Sequence, residues 1–494
     1  MFDKFKEIAR HSAIYGIGSV VQALVGFILI PLYTKHYEPE TYGVLSLLTL
    51  SGTLAGALFF LGGSSALSRS YYDFPDAEER KKAVSASLLI TGIGAGTQLI
   101  LGFFASSTIS RWLFGSPKYS LHVSVALAAS AFLFTNNLLF LLLRFAKRSG
   151  QVVMINLISL LLGVSSISYF LLHMHLGVLA PVLGDLCNQF LLCALLLWLT
   201  RGDLNLEWPG TELSLQLRYG LPTMLAGLAY YTLTWADRLL LDRYASLTAV
   251  GIYSLGYKLG GSIQILLIGP FCQIWAPMRM QYRDSPDAPE FFKRALTYYF
   301  FVGLTIVSCF GMFSHEVLSL FASSPGYSGA GGVIALIMLA QLIYGSINII
   351  DCGIVFSRRT HLHLYLFAAC VPFNLALNYF LIDRFGAIGA AWASLATFLL
   401  LAGLVFPVSN RLYHINVEFN RLGRIFGLTF VTLLVSLSIS GVGMLSSGMR
   451  ACALLCTFWV TYHWVMKPGE RQRFRQIVSA GGSRLGLFRT AILG

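Results

Sequence analysis

Tyr37–Leu47 reads YEPETYGVLSL, and Tyr244–Leu255 reads YASLTAVGIYSL. Both open on Tyr, close on Ser-Leu and carry one glycine, and those glycines, Gly43 and Gly251, lie 208 residues apart. LFGSPKYS ends at Ser120 and LFASSPGYS at Ser328, again 208 apart. Lys147-Arg148 finds Arg358-Arg359 after 211 residues, and YFLLHMHLGVLA from Tyr169 finds YFLIDRFGAIGA from Tyr379 after 210. Four matches in chain order at one near-constant offset mark a duplicated architecture.

Outward from these stretches the chain is apolar throughout. Of its 494 residues 56% are hydrophobic and 12% charged, with a mean hydropathy of +0.69. An average globular domain is about 45–50% apolar and about 25% charged. Too little polar surface remains to wrap a water-soluble core, so lipid must serve as part of the solvent. A bilayer core of about 30 Å needs roughly 20 apolar residues per helix. That ruler divides the chain into about fourteen spans: 12–34, 41–63, 83–106, 120–143, 151–172, 178–200, 219–241, 249–271, 295–314, 329–356, 362–381, 387–408, 425–444 and 450–466. The first apolar run is too long for the core of a signal peptide and has no A-x-A cleavage site, so it reads as a retained span.

Six spans make up the repeat unit. An even number brings both copies into the membrane from the same side, so the lobes are related by an axis along the membrane normal, with a central cavity between them. The expected fold is an all-α polytopic membrane protein: an N-terminal lobe (1–200), a linker (201–218), a C-terminal lobe (219–408), two extra helices within 425–466 and a basic tail (467–494). With both termini in the cytoplasm, 27 of the 35 Lys and Arg residues fall on the cytoplasmic side and 6 on the outer side. This is the asymmetry of the positive-inside rule. The net charge of +13 is therefore a topology signal. With no soluble basic domain, nucleic acid is excluded as a partner.

Arg238 and Lys258 are the two cations left inside spans. Ionisable groups at bilayer depth cost about 2.5–3.5 kcal/mol on insertion scales and usually face a cavity. Asp237, Asp185 and Asp351 are the carboxylates at similar depth. Two readings stand for the hairpin. Asp237 pairs with Lys258 and Arg238 with Asp242 four residues on, or the cations face the cavity and hold an anion, Arg as a fork and Lys as a point charge. Arg69 and Arg10 end the second and first spans, where they receive an anionic headgroup or serve as membrane anchors; Arg10 fits the anchor better. Asp185 and Asp351 have no adjacent cation in sequence, and a buried carboxylate can carry a proton or sodium ion or be a neutral, hydrogen-bonded group.

Tyr231 and Trp235 crowd the Asp237 neighbourhood and suit either sugar stacking or an aromatic belt. Asn137 and Asn348 are repeat equivalents 211 apart, among intramembrane amides such as Gln264, Gln341, Asn374 and Asn378; amides bind sugar hydroxyls or join helices. Pro181, Pro222, Pro270, Pro277 and Pro372, with Gly16, Gly18 and Gly26, are candidate bends. No Gly-Lys dipeptide is present, so no phosphate-binding Walker loop exists. His173-x-His175 and His361-x-His363 point to opposite helix faces at that spacing and suit the interface better than a metal. The eight cysteines form no C-x-x-C pair and sit mostly in apolar runs, as packing residues do. Neither a catalytic residue nor a resident cofactor or metal is expected.

Four stretches carry a family resemblance: IPLYTKHYEPETYGVLSL (Ile30–Leu47), RYGLPTMLAGLAYYTLTWADRLLL (Arg218–Leu241), AVGIYSLGYKL (Ala249–Leu259) and FGAIGAAWAS (Phe385–Ser394). Together with two six-helix lobes and two added spans, they make the chain resemble the multidrug/oligosaccharidyl-lipid/polysaccharide exporter superfamily. Within it the chain is similar to bacterial polysaccharide flippases of the Wzx (O-antigen flippase) type. The resemblance implies a non-enzymatic transporter in the bacterial inner membrane. It implies that undecaprenyl-pyrophosphate-linked oligosaccharide units pass from the cytoplasmic to the periplasmic leaflet by alternating access, in the synthesis of O-antigen, capsule or exopolysaccharide. Lipid-linked oligosaccharide and membrane lipid are the implied partners, with membrane proteins of the glycan pathway as further candidates. Two alternatives stay open: a cation-coupled multidrug exporter of the same superfamily, and a membrane polymerase or ligase for the same lipid, which the short connections disfavour.

Overall fold

The computed structural model describes residues 26–71, 77–146, 148–203, 211–359, 361–439, 444–465, 467–468 and 471–472. Helices account for nearly all of them, and no strand occurs among the described residues. The first half contains α1 (26–36), α2 (Pro39–Phe59), α3 (Gly63–Ser70), α4 (Ala77–Phe104), α5 (Ser106–Phe114), α6 (Ser120–Phe145), α7 (Ser149–Leu172) and α8 (Leu179–Thr200). The second contains α9 (Thr211–Tyr244), α10 (Leu247–Gly260), α11 (Gly269–Tyr282), α12 (Ala288–Met312), α13 (Ser314–Phe321), α14 (Ala330–Ile350), α15 (Cys352–Phe356) and α16 (His361–Leu412). Two added helices follow, α17 (Phe419–Ser438) and α18 (Met444–Val460). Arg10, Gly16, Gly18 and nearly all of the basic tail lie outside the described residues, as does the side chain of Arg69.

Nine helices among the described residues are long and apolar enough to cross a membrane. One of them, α16, holds two of the expected spans and bends at Gly386, where φ is +54°. Another run, Leu247–Tyr282, joins α10 to α11 through a π-helical turn at Gln264–Ile268. Many large apolar side chains face outward, Phe103 at 78% and Leu445 at 82% exposure among them, as a lipid-solvated surface requires.

The repeat read from the sequence recurs as local geometry. Ser116 caps the 3-10 turn Pro117–Tyr119 by accepting from Lys118 N, and Ser324 caps Pro325–Tyr327 by accepting from Gly326 N. Each turn follows a short helix, α5 or α13, and precedes a central one, α6 or α14. Gly177 and Gly386, 209 residues apart, both take positive φ, a backbone that L side chains adopt at a cost. The fold is all-helical and two-lobed, with two extra helices, α17 and α18, against the second lobe.

Each lobe has its own core. Leu67, Leu138, Ile155 and Leu196 anchor the first, and Phe292, Leu304, Ile349 and Phe398 the second, which continues into α17 through Ile425. Two more clusters cross between lobes: Leu29, Ile30 and Tyr42 with Leu255, Tyr327 and Ile334, and Leu47 and Leu50 with Val250, Tyr253 and Ile337. The buried Arg450 on α18 donates to Glu316 on α13 at 2.5 Å, docking the added helices.

One boundary differs from expectation. The linker was expected through residue 218, yet α9 starts at Thr211 and runs on through Pro222. Tertiary contacts explain the early start. Gln216 is buried, donates to Ala83 O at 2.6 Å and accepts from Ser87 Oγ at 2.6 Å, which fixes the first turns of α9 against α4.

Candidate transport cavity

α2 and α10 cross at the end of the bundle that carries Tyr37, and the crossing decides how close the lobes come. A Cβ on Gly43 would overlap the Leu247 carbonyl oxygen, and one on Gly251 would overlap that of Pro39. Pro39 and Leu247 are themselves 208 apart, so the contact is reciprocal about the repeat axis. One turn further in, the repeat-equivalent Ser46 and Ser254 share a hydrogen bond at 2.7 Å. Around this crossing Tyr327 OH donates to Tyr37 O at 2.8 Å, and Thr34 Oγ1 donates to Phe321 O at 2.6 Å. Tyr42 and Tyr327 meet edge to face. The lobes also touch at the opposite end, where Gly62 and Gly220 leave no room for side chains between their backbones.

Between the two ends lies a cavity of about 540 Å³ lined by both lobes. The first lobe contributes Tyr33, Tyr42, Ser46, Thr49, Ser130 and Asp185; the second contributes Trp235, Arg238, Ser254, Tyr257 and Lys258. Arg238 is 3% exposed. Its guanidinium lies 4.3 Å from the Trp235 ring centre, 4.5 Å from Tyr257 and 5.4 Å from Tyr253. Nη1 donates to Thr234 O at 3.0 Å, and the buried Nε has no partner. Three rings stabilise the cation at roughly 0.5–2 kcal/mol each.

Lys258 lines the same cavity, 6.0 Å from the Tyr33 ring centre. Its stem packs on Gly26 of α1, where a Cβ would come within 3.2 Å of Cε. Tyr257 OH accepts from Gln341 Nε2 at 2.7 Å, and Gln341 Oε1 accepts from Gln264 Nε2 at 2.9 Å, so an amide chain leads from the cation cage to the π-helical turn. Such turns inside helices frequently mark functional sites.

The pairing reading fails. Asp237 is fully buried and lines no part of this cavity; its carboxylate accepts from Tyr253 OH at 2.6 Å, Ser394 Oγ at 2.8 Å and Asn378 Nδ2 at 2.9 Å. It ties α9 to α10 and α16 rather than pairing with Lys258. Arg238 turns to its rings and to Thr234, not to Asp242.

Asp185 lines the cavity from α8 and accepts from Gln189 Nε2 at 3.1 Å; Gln189 in turn accepts from Asn136. Asp351 differs from the expectation that it lacks a cation. Arg279 Nη1 stands 3.1 Å from Oδ1 and His363 Nε2 3.2 Å from Oδ2. Both come from other helices, α11 and α16, which sequence adjacency could not reveal.

Tyr231 is half-buried beside Tyr230. Asn348 points back along α14, with Nδ2 donating to Gly345 O. Asn137 lines a separate hollow, outside the central cavity. The sequence reading missed Tyr33, Tyr42, Ser46 and Ser254 as cavity residues; the last two lay inside the quoted repeat, where a polar pair at one repeat position was the available signal. All eight cysteines are unpaired, and no three His, Cys, Asp or Glu side chains among the described residues group closely enough to hold a metal.

The family described as polysaccharide biosynthesis protein matches residues 8–282. No curated protein matches the chain. Among solved structures the chain is similar to the lipid II flippase MurJ in an inward closed conformation, with a TM-score of 0.68 and 14% identity over 91% of this chain and 99% of that one. It is also similar to a multidrug resistance MATE family transporter of the MOP superfamily. The outward-facing form gives a TM-score of 0.63 at 16% identity over 85% of this chain and 96% of that one. The inward-facing form gives 0.64 at 16% over 83% and 96%. These relatives are transporters or flippases, not enzymes.

Proposed function

This chain belongs to the polysaccharide biosynthesis protein family, and from that premise we propose that it flips undecaprenyl-pyrophosphate-linked oligosaccharide units from the cytoplasmic to the periplasmic leaflet of a bacterial inner membrane. The units feed the synthesis of O-antigen, capsule or exopolysaccharide. The observation that carries the reading is the cavity shared by the lobes, into which both deep cations project. A pyrophosphate crossing a low-dielectric layer needs positive charge at depth. Arg238, caged by rings and lining the cavity, grips its oxygens, and Lys258 adds a second charge. Trp235, Tyr33 and Tyr42 offer stacking faces to the sugar.

In the orientation that puts most Lys and Arg inside, the Tyr37 end faces the periplasm and both termini the cytoplasm. Lobes 1–200 and 219–408 then rock about the α2–α10 crossing, with 467–494 as a cytoplasmic tail. Asp185 is the better coupling carboxylate, for a proton or sodium ion, because it lines the cavity; Asp351 is held between Arg279 and His363. A drug exporter for organic cations would favour an acidic cavity, and this one holds two cations against one carboxylate.

Deletion and complementation test the reading. Loss of the chain leads to lipid-linked units accumulating in the cytoplasmic leaflet, without drug hypersensitivity and without a change in glycan chain length. Drug hypersensitivity with normal surface glycan would move the chain to the exporters, and altered chain length to the polymerases.

A further inference from the structure

A second hollow, of about 260 Å³, lies within the first lobe and is lined by Ser64 and Ser68 of α3, Asn137 and Arg144 of α6, and Asn156 of α7, with Phe140 and Leu141 as its apolar wall. Helical periodicity ties it to the central cavity. On α6 the cavity residues Ala126, Ser130 and Leu133 continue at Asn137, Leu141 and Arg144, steps of three to four residues that keep to one helix face. On α7 the hollow's Asn156 and the cavity's Ile167 are 11 residues apart, close to three full turns. From α3, a separate helix that starts after the left-handed Gly62, Ser64 and Ser68 line the hollow.

Two helices, α6 and α7, thus run from the cavity to the hollow, which lies nearer the Gly62 end. The intervening level is apolar, with the Phe60 and Phe134 rings tilted against each other at 4.9 Å. The side chains of Asn137 and Arg144 make no hydrogen bond or ion pair with the described residues, and both are exposed. The sequence singled out Asn137, and the central cavity does not use it.

We propose that this hollow is a loading station for the phosphorylated headgroup of the lipid-linked glycan, occupied before the headgroup reaches Arg238. Arg144 supplies a planar donor fork for phosphate oxygens at the mouth. The amides of Asn137 and Asn156 and the hydroxyl of Ser64 can donate to and accept from sugar hydroxyls, and Ser68, whose hydroxyl donates to Ser64 O at 2.8 Å, can accept. The assignment deepens the transport reading and rests on it for the identity of the cargo.

Thiol protection in membranes holding the full chain tests it, with farnesyl pyrophosphate as probe and farnesol as the uncharged control. Asn137→Cys, compared with the native cysteine background, is labelled by a water-soluble methanethiosulfonate reagent. Farnesyl pyrophosphate slows the labelling and farnesol does not. Adding Arg144→Gln raises the protecting concentration about tenfold, the loss expected for one charge-assisted contact, with the unprotected labelling rate unchanged. Equal protection by farnesol, or protection indifferent to Arg144→Gln, overturns the proposal. Leu141→Cys is the second reporter if Asn137→Cys does not accumulate. Surface glycan that survives deletion of the chain would refute the transport reading; glycan lost on deletion but fully restored by Arg144→Gln at normal abundance would refute the loading station alone.

Discussion

Arg238 and Asp237 are neighbours in sequence and opposites in role. Arg238 spends one donor on Thr234 and leans on three rings, so its remaining donors are available to cargo. Arg238→Ala abolishes surface glycan at normal membrane abundance, read by glycan blotting beside protein quantification, and Arg238→Lys restores only part of it because an ammonium lacks the planar fork. Asp237 instead satisfies Tyr253, Ser394 and Asn378. Asp237→Ala removes the acceptor shared by three buried donors; Asn378 keeps Asn374, and Tyr253 and Ser394 keep each other, so the loss is about 1–3 kcal/mol in all. Thermal unfolding in detergent is expected to fall markedly for Asp237→Ala and less for Asp237→Asn, whose amide oxygen still accepts. The depth of both residues was legible in the sequence. Their division of labour was not, because the partners of Asp237 lie 16, 141 and 157 residues away and only packing brings them together.

At the scale of elements, the repeat was the most readable feature because it is written in small residues that geometry requires. Gly43 and Gly251 permit the α2–α10 crossing from both sides. Gly251→Val forces a branched side chain against the Pro39 carbonyl, and overpacking of this kind costs about 1–3 kcal/mol. The variant unfolds at lower temperature and exposes Tyr42→Cys to a thiol reagent added at the Tyr37 end; an unchanged labelling rate would remove this crossing as the closure point. The start of α9 was misread because nothing local announces that Gln216 docks on α4. The π-helical turn in the eighth span was equally silent, since one extra residue per turn leaves no compositional trace.

Beside the added helices Glu418 accepts from Lys467 Nζ at 2.7 Å and from Arg421 Nη1 at 3.1 Å. Burial would raise the Glu418 carboxyl, yet hydrogen bonds and charge from Lys467 and Arg421 outweigh it and hold it below the usual carboxylate range. A depressed folded-state pKa stabilises the folded arrangement above the ordinary pKa and loses that stabilisation as pH falls through the depressed one. A spin label at Gln472 therefore gains mobility on acidification below the usual carboxylate range. In Glu418→Gln it is mobile at every pH.

For the whole molecule, the two-lobed plan is legible in an even-numbered repeat and a charge asymmetry. What no sequence argument supplied was the contact that joins the lobes at the Tyr37 end: Ser46 to Ser254, Tyr327 to Tyr37 and Thr34 to Phe321. If transport requires these contacts to separate, Ser46→Cys with Ser254→Cys arrests export when oxidised and releases it when reduced, while either single variant stays active under both conditions. Export that continues with the pair fully oxidised would place the moving parts elsewhere.

The central claim is that an anionic lipid-linked glycan crosses the membrane through the cavity that Arg238 lines. It is tested most directly by the leaflet distribution of undecaprenyl-pyrophosphate-linked units in spheroplasts, read with a membrane-impermeant sugar-modifying reagent. The account predicts that units stay protected in cells lacking the chain, become accessible when the native chain is restored, and stay protected when Arg238→Ala is supplied at equal abundance. Units that reach the outer leaflet at the native rate without the chain, or with Arg238→Ala, would contradict it.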